Sequence, residues 1–369
     1  MANKSLGAAR KAKNDEFYTQ YGDIQKEIEA YIEYDSNTFR DKVVYCNCDD
    51  PFESNFFRYF VLNFKRLGLK QLITTSYKPS PIANTQLALF GKEKTGDPGK
   101  GRPKITANKL IINEVGDIDG DGSFNLKDVA EQLKENKHNE WTPLEGDGDF
   151  RSPECIELLQ QSDIVVTNPP FSLFREYLEQ LIEYKKKFAI VSNKNAVTYK
   201  EVFPLIKENK LWSGKTEWSG GMWFATTNKS DVDRVINGVD MKNVPSIWLT
   251  NIDHGRRHQP LSLMSTSDNL KFNKKMKDKA SYDNYDNYDA IEVSYTNTIP
   301  SDYDGVMGVP ISFLDKYSPD QFEIVGATES EGKGFSNGLW HESSKVAQPL
   351  VNGARVYKRI FIKHRKAVG

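Results

Sequence analysis

The residues best suited to chemistry form the run Asn168-Pro169-Pro170-Phe171, which directly follows the apolar stretch 164–167. The stretch predicts a buried strand, and the two prolines end it because proline cannot donate to a sheet. The resulting rigid corner presents the Asn168 side-chain carbonyl, the Pro169 backbone carbonyl and the Phe171 ring. Two hydrogen-bond acceptors beside an aromatic ring suit a planar substrate ring that carries an exocyclic amino group.

A strand before the corner and a helix after it must hold these groups in place. Apolar residues recur at helical spacing after the corner and predict an amphipathic helix. They are Leu173, Phe174, Tyr177, Leu178, Leu181 and Ile182. Open α/β sheets bind ligands at the carboxyl ends of their strands, which is where this corner falls. The alternative is a proline-stiffened strand exit with a purely structural role.

Further motifs point to a known family. They lie at residues 13–19, 45–51, 283–291 and 299–310. Together with Asn-Pro-Pro-Phe they resemble the EcoRI-type adenine methyltransferase family over most of the chain. The resemblance implies an S-adenosylmethionine-dependent enzyme that methylates N6 of an adenine flipped out of double-stranded DNA. It implies catalytic roles for Asn168, Pro169, Pro170 and Phe171, and either a cognate restriction endonuclease as partner or an orphan or phage modification system.

The first strand and the helix after it are expected to form the cofactor end of the sheet. Residues 43–46 predict a strand, and residues 54–68 predict a helix that begins at Ser54 and ends at Gly68. The connection has no Gly-x-Gly, but it contains Asp49 and Asp50. We expect these carboxylates to bind the α-ammonium group of the cofactor, while the start of the helix receives its carboxylate.

Two other segments acquire cofactor roles from the resemblance. Phe17, Tyr18 and Thr19 match the segment that packs against the methionine part of the cofactor. A plain aromatic anchor ahead of a helix fits these three residues equally well. Asp149 and Phe150 match the segment that reads the cofactor adenine, in which the carboxylate accepts from the amino group and the aromatic ring flanks the base.

The remaining strands complete the predicted sheet. Strand 72–77 lacks the acidic residue that usually binds ribose hydroxyls, so Thr75, Ser76 or Tyr77 is expected to substitute. Further strands are predicted at 188–192, 221–225 and 246–250, and a helix at 199–211. The predicted fold class is α/β: a doubly wound, mostly parallel, Rossmann-like methyltransferase sheet with a smaller α+β target-recognition region.

The chain divides into two predicted domains. Residues 1–253 form the S-adenosylmethionine-binding catalytic domain, with a flexible arm at 1–14 and a flexible loop at 91–104. Residues 254–369 form the DNA target-recognition region. Short strands are predicted there at 311–314, 322–325 and 356–362, and asparagines that could read adenine edges are Asn284, Asn287 and Asn297. The tyrosines around them are more often packing anchors than base contacts.

The charges are balanced overall but unevenly placed. The net charge is -1, the hydrophobic content 38% and the charged content 27%, as in a soluble protein. Basic residues cluster at 10–13, 185–187, 254–258, 271–279 and 358–366. Such clusters are compatible with a positive groove on a neutral protein, and we expect Arg256, Arg257 and Lys271 to contact DNA.

Residues 117–128 resemble a calcium loop in the spacing of their oxygen ligands, from Asp117 to Asp128. A structural calcium ion and a turn-rich insertion that caps the next helix are both open, and no metal is expected in the chemical step. Cys46, Cys48 and Cys155 are interpreted as ordinary buried thiols. The absence of a signal peptide or a membrane-spanning apolar run predicts a cytoplasmic protein with no membrane partner.

Two alternatives to a DNA methyltransferase stay open at this point. A glutamine-amide or RNA amino-methyltransferase could use the same tetrapeptide, but it has no evident need for the Tyr- and Lys-rich region 254–369. A non-catalytic DNA-binding protein could retain the fold, although the intact run from Asn168 to Phe171 argues against that.

Overall fold

The backbone passes between two structural units more than once in the computed structural model. The first unit comprises Met1–Ala196 and Gly214–His254, and the second comprises Val197–Ser213 and Gly255–Gly369. The residues that the structure describes are 18–48, 54–77, 107–117, 124–135, 138–226, 229–328, 335, 338–340 and 347–365. The predicted arm and the predicted loop 91–104 therefore lie outside the described residues.

Strands and helices alternate through the first half of the chain. The strands in chain order are β1 (Tyr18–Thr19), β2 (Val43–Cys46), β3 (Gln71–Thr75), β4 (Asn108–Ile112), β5 (Glu140–Pro143), β6 (Ile164–Thr167), β7 (Lys187–Asn193), β8 (Trp212–Ser213), β9 (Met222–Ala225), β10 (Arg234–Ile236), β11 (Val239–Val244), β12 (Ser246–Thr250), β13 (Ile291–Glu292), β14 (Met307–Pro310), β15 (Phe322–Ala327), β16 (Leu350–Val351), β17 (Ala354–Arg355) and β18 (Arg359–His364). The helices are α1 (Tyr21–Tyr34), α2 (Asn55–Leu62), α3 (Phe64–Leu67), α4 (Leu126–Glu135), α5 (Pro153–Gln161), α6 (Phe174–Glu183), α7 (Phe203–Lys207) and α8 (Thr266–Phe272).

A large mixed sheet dominates the first unit, where its strands follow the order β5-β4-β3-β2-β6-β7-β12. The central strands β3, β2, β6 and β7 are parallel, and β4, β5 and β12 are antiparallel to their neighbours. β2 and β6 are buried along their whole length, which suits strands covered on both faces. The order reverses between β2 and β6, because β3 lies beside β2 on one side and β7 beside β6 on the other.

β9 does not belong to this sheet, contrary to the prediction that residues 221–225 complete it. It pairs with β1 and β11 in a separate antiparallel sheet of order β1-β9-β11-β10, in which Thr19 lies opposite Phe224. Asn237 and Gly238 both have positive φ at the turn between β10 and β11, as a tight hairpin requires. The apolar residues of this stretch predict a strand, but they carry no information on which sheet it joins.

The helices of the first unit begin and end where the sequence predicts, with one break. α1 buries Ile24 and Ile28 on one face. The Ser54 hydroxyl caps α2 by accepting from the Phe56 backbone N–H at 3.1 Å, and Gly68 ends α3 with a φ of 64°. The predicted helix 54–68 is interrupted at Asn63, which separates α2 from α3.

The predicted helix 199–211 is wrong in its extent, since only α7 forms an α-helix there. Pro204 explains the late start, because proline is accepted in the first turn of a helix and breaks a helix interior. A 3-10 helix, Lys194–Thr198, lies ahead of the predicted span, and residues 199–202 form a bend and turns rather than helix.

The second unit contains a smaller four-stranded sheet of order β13-β14-β18-β15 and the β16-β17 pair. β13 and β14 are parallel, and the other pairs are antiparallel. Its core includes Tyr285, Tyr288 and Phe361, and the last two rings lie 4.9 Å apart. Beside them, Arg359 Nη2 forms a buried ion pair with Glu292 Oε1 at 2.7 Å. These tyrosines are therefore packing anchors.

Two expectations about the second unit are corrected. The predicted strand 311–314 is a 3-10 helix, Ile311–Lys316, which follows Pro310 and buries Phe313 and Leu314. Asn287 is buried, donates to Gln348 O at 3.0 Å and accepts from Leu350 N at 2.9 Å. This asparagine serves the fold and is not available to a base.

The cysteines test the expectation of buried thiols. Cys46 and Cys155 are buried free thiols as expected, whereas Cys48 is only half-buried. Within the described ranges, no helix combines the length and the apolar character that a membrane span needs.

Candidate active site

The Asn-Pro-Pro-Phe corner follows β6 at the carboxyl end of the central strands. Asn168 is half-buried with its side-chain oxygen enclosed by protein, Pro169 is buried, and Pro170 has extended backbone angles, φ −55° and ψ 125°. The Pro170 carbonyl accepts from Leu173 N at 3.0 Å, which starts a 3-10 turn that leads into α6. The Phe171 ring is half-buried against the core. The predicted order of strand, rigid corner and helix is confirmed.

The corner lies where the order of the central strands reverses. The Thr167 hydroxyl donates to the Asn47 backbone carbonyl, and this bond ties the end of β6 to the residue after β2. The Tyr177 hydroxyl, from α6, donates to the Asn47 side-chain oxygen. Burial, together with neighbouring Cys48 and Tyr45, raises the pKa of Tyr177 well above its ordinary value, so the hydroxyl keeps its proton and remains a donor.

Asn47 and Tyr177 were not recognised as site residues from the sequence. Asn47 is buried directly after β2, and Tyr177 is a fully buried residue of the apolar face of α6. The available signal was a polar residue directly after a buried strand, since such positions line the ligand-binding edge of a parallel sheet. Helical spacing predicts that Tyr177 belongs to the core. This is correct for its ring, but the spacing does not predict the partner of its hydroxyl group.

Gly148 brings the segment before α5 against the end of β3. Its φ is +77°, and a Cβ at this position would lie 2.0 Å from the Ser76 backbone carbonyl. Only glycine combines a positive φ with such a close backbone approach at no steric cost. Asp149 and Phe150 are therefore delivered to the same edge of the sheet as Asn47 and the corner.

Asp149 is held by the guanidinium group of Arg151. The Asp149 Oδ1 atom accepts from Arg151 N and Nε, both at 2.9 Å, and Oδ2 accepts from Arg151 Nη2 at 2.7 Å. Burial raises the pKa of Asp149, but these hydrogen bonds outweigh it and leave the pKa below the ordinary value. The carboxylate is thus ionised and oriented.

The same arginine joins this segment to α6. Arg151 Nη1 donates to Glu176 Oε2 at 2.7 Å, and the Phe150 carbonyl accepts from Gln180 Nε2 at 3.1 Å. The buried Phe150 ring meets the Tyr177 ring edge-on, with centroids 5.0 Å apart. Segment 149–151 is therefore fixed to the helix that follows the corner.

β1 meets the start of α2, the predicted site of the methionine part of the cofactor. The Thr19 carbonyl accepts from Asn55 Nδ2 at 2.8 Å. The Thr19 hydroxyl is buried and makes no hydrogen bond with any residue that the structure describes. Phe17, Asp49 and Asp50 lie outside the described residues, and Tyr18 is placed only by its backbone pairing with Ala225.

Two of the residues expected to bind ribose are engaged in the sheet. The Thr75 hydroxyl lies 3.0 Å from the Tyr45 hydroxyl, and Ser76 Oγ accepts from Asn108 N at 2.9 Å. Both side chains are buried, which favours structural roles and leaves Tyr77, half-buried beside them, as the expected contact.

The arginines expected to contact DNA have partners inside the second unit. Arg256 pairs with Asp315 at 2.8 Å, and the two side chains are only 15% and 11% exposed. The Arg257 guanidinium carbon lies 3.7 Å from the centroid of the Trp212 ring, and the residue is buried. This geometry favours structural roles for both, and their contact with DNA stays a prediction. Lys271, in contrast, is exposed.

The calcium-loop hypothesis falls largely on residues 118–123, which lie outside the described residues. Asp128 is buried and its Oδ2 accepts from Asn125 N at 2.8 Å, as the third residue of a helix does in a capping box. This observation favours the capping interpretation. No cluster of potential metal ligands occurs among the residues that the structure describes.

Strand order, the Asn-Pro-Pro-Phe corner and the match to a family model together define a class of enzyme. The chain belongs to the adenine-specific methyltransferase EcoRI family, whose model matches residues 5–365, and the resemblance inferred from the motifs is confirmed. It is thus an adenine-specific DNA methyltransferase by class.

Individual relatives match along almost the whole chain. It is 42% identical to the Type II methyltransferase M.EcoRI of Escherichia coli, a match that covers 99% of this chain and 97% of that protein. It is 34% identical to the Type II methyltransferase M.MpnI of Mycoplasma pneumoniae, with 98% of both chains covered. It is 33% identical to the Type II methyltransferase M.MgeORF184P of Mycoplasma genitalium, with 97% of this chain and 98% of that protein covered. No solved structure matches significantly.

Proposed function

We propose that the protein transfers a methyl group from S-adenosylmethionine to N6 of a specific adenine in double-stranded DNA. The observation that carries the proposal is the meeting of two strand ends at the reversal point, where Asn168 follows β6 and Asn47 follows β2. Ligands of open α/β sheets bind at such a point. The Type II methyltransferases among its relatives support a role in restriction–modification, with a cognate endonuclease as the proposed partner.

The residues around the reversal point suit the cofactor. The buried Thr19 hydroxyl beside the start of α2 offers a polar group to the methionine part, with Phe17, Tyr18, Asp49 and Asp50 as the other proposed contacts. Asp149 and Phe150 are proposed to hold the adenine. When bound, the cofactor supplies an electrophilic methyl group.

The corner is proposed to activate the target amino group. The lone pair of adenine N6 is delocalised into the ring. Asn168 Oδ1 and the Pro169 carbonyl would accept hydrogen bonds from the two protons of the amino group and so localise the lone pair on N6. Pro169 and Pro170 keep the acceptors fixed, so no reorganisation is needed as charge develops. Because N6 is inaccessible inside a duplex, the adenine must leave the helix, and Phe171 is the proposed surface for the flipped base.

The two units are proposed to have different functions. The mixed sheet of the first unit acts as a doubly wound, Rossmann-like methyltransferase domain, and the second unit acts as the target-recognition region. A substrate of this kind makes the cytoplasm the proposed location. A calcium ion bound by residues 117–128 would be structural, and chelation would then lower the melting temperature without abolishing methyl transfer.

One experiment separates the proposal from its alternatives. The protein is incubated with labelled S-adenosylmethionine and, in turn, duplex DNA, RNA and protein extract, and the nucleic acids are digested to nucleosides. We expect label in N6-methyldeoxyadenosine from DNA. Label only in RNA or protein would support an RNA or glutamine-amide methyltransferase, and no transfer together with DNA binding would indicate a non-catalytic protein.

A further inference from the structure

The second unit exposes a strongly basic segment at the end of α8. Residues 271–279 contain five lysines and one acidic residue, Asp278, and all five lysines are exposed. Lys279 pairs with Asp283. The other four, Lys271, Lys274, Lys275 and Lys277, project from one short stretch of a chain whose net charge is only -1.

Two exposed aromatic rings accompany these lysines. Phe272 is 62% exposed and Tyr295 is 44% exposed, although both are large enough to favour burial. The Lys271 ammonium lies 5.0 Å from the Phe272 ring centroid, and the Lys275 ammonium lies 4.9 Å from the Tyr295 ring centroid. Alternating cations and aromatic rings are typical of surfaces that bind phosphates and the flat or apolar parts of nucleotides.

Asn273 holds the two halves of this surface together. Its Nδ2 donates to the Asn297 carbonyl at 2.9 Å and to Asn269 Oδ1 at 3.1 Å, and its Oδ1 accepts from Lys275 N at 3.1 Å. The stretch after α8 is thereby fixed against the segment that carries Tyr295. The rings and ammonium groups are presented on a formed backbone, which lowers the ordering cost of binding a partner.

We propose that this surface, formed by Lys271, Phe272, Lys274, Lys275, Lys277 and Tyr295, binds duplex DNA, an inference that rests on the proposed DNA methyltransferase function. The lysines contact phosphates, and the Phe272 ring contacts the apolar parts of the sugars or bases. Arg256 and Arg257 contrast with it, since their charges are engaged inside the unit.

The lysines and the ring predict different salt dependence. Each lysine that no longer neutralises a phosphate of the duplex lowers the slope of log K against log salt by about 0.9. Lys274→Gln/Lys275→Gln should therefore flatten the slope by roughly 2 units and weaken binding roughly tenfold at moderate salt. Phe272→Ala should weaken binding roughly tenfold as well, but with an unchanged slope, because a ring that leaves the interface releases no counterions.

The test is a DNA titration by fluorescence anisotropy over a series of salt concentrations. The probe is a duplex that contains a site methylated by the wild-type enzyme. The matched control is Lys200→Gln/Lys316→Gln, which removes the same charge from exposed lysines on other segments of the second unit. Cofactor affinity, measured by calorimetry, should be unchanged in every variant, because the substituted residues belong to the second unit and the proposed cofactor residues to the first.

The outcomes separate this inference from the proposed function. A slope and affinity for Lys274→Gln/Lys275→Gln equal to those of the control, in an enzyme that methylates DNA normally, would overturn the surface and leave the function intact. A wild-type protein that methylates no DNA would overturn both. A Phe272→Ala variant with wild-type affinity would remove the aromatic contact from the proposal.

Discussion

The Tyr177 hydroxyl donates a hydrogen bond to the Asn47 side-chain oxygen, and this bond joins the helix after the Asn-Pro-Pro-Phe corner to the end of β2. Asn47 also accepts from Thr167 through its backbone carbonyl. One buried asparagine thus fixes the separation of the two strand ends between which the methyl group is proposed to pass. The position of Asn168 depends on this arrangement, although neither residue is part of the Asn-Pro-Pro-Phe motif.

Tyr177→Phe removes the hydroxyl and leaves a buried acceptor on Asn47. Leaving such a group unsatisfied costs roughly 1–3 kcal/mol, so we expect a lower free energy of unfolding by that amount. We also expect slower methyl transfer at saturating cofactor, because α6 is no longer tied to β2. The control is Tyr184→Phe, since the half-buried Tyr184 makes no side-chain hydrogen bond within the described part of the chain. Equal stability of the two variants in denaturant melts would contradict this role.

Gly148→Ala should disturb the segment that is proposed to bind the cofactor adenine. The new methyl group would lie 2.0 Å from the Ser76 carbonyl, and the residue would have to keep a φ of +77°. We expect a loss of more than about 1 kcal/mol in stability and weaker cofactor binding by calorimetry. Gly146→Ala is the matched control, because a Cβ there meets nothing within 4 Å. If both variants bind the cofactor like wild type, segment 149–151 does not belong to the cofactor site.

Arg151→Gln should make cofactor binding sensitive to pH. In the wild-type protein the hydrogen bonds from Arg151 keep the pKa of Asp149 below its ordinary value, so the carboxylate is protonated only at strongly acidic pH. The variant loses the guanidinium bonds and keeps only the backbone N–H of residue 151 as a donor, so burial should raise the pKa of Asp149 relative to wild type, and cofactor binding should weaken at a higher pH than in the wild-type protein. Arg175→Gln, which removes a positive charge from α6, is the control. Parallel pH profiles for the two variants would exclude the proposed role of Asp149.

Arg257→Lys tests whether this arginine supports the fold or contacts DNA. Lysine retains the positive charge but cannot form the flat stack on Trp212 or the same hydrogen bond to Asn209. The stacked geometry predicts a loss of about 2 kcal/mol in stability and an unchanged salt dependence of DNA binding. Normal stability together with a flatter salt dependence of DNA binding would indicate that Arg257 contacts DNA.

The sequence predicted the local elements of the site because local residues determine them. Apolar runs defined β2 and β6, Ser54 and Gly68 marked the helix ends, and two prolines marked the corner. No local signal of this kind in the sequence predicts which distant strands pair with one another. β9 therefore looked like a strand of the main sheet, and the close approach of Gly148 to Ser76 was invisible, since it joins residues far apart in the chain.

The basic clusters of the sequence were the least reliable predictors of DNA contacts. Arg256 and Arg257 stand in a basic cluster that predicts phosphate contacts, but the fold gives them Asp315 and Trp212 as partners. A sequence shows charges without their spatial neighbours, whereas a basic residue contacts DNA only when it is exposed. The exposed lysines after α8 meet that condition, and Lys271 was the one residue of that stretch expected to contact DNA.

The central claim is that Asn168 localises the lone pair of the target amino group, and Asn168→Ala tests it most directly. The measurement is single-turnover methylation of duplex DNA, with cofactor and DNA titrations on the same preparation. We expect methyl transfer slower by about 10²-fold or more, because the variant lacks an acceptor that acts chiefly as charge develops, while both affinities stay close to wild type. Methyl transfer at a near wild-type rate would contradict the account, since the corner would then be only a structural end to β6.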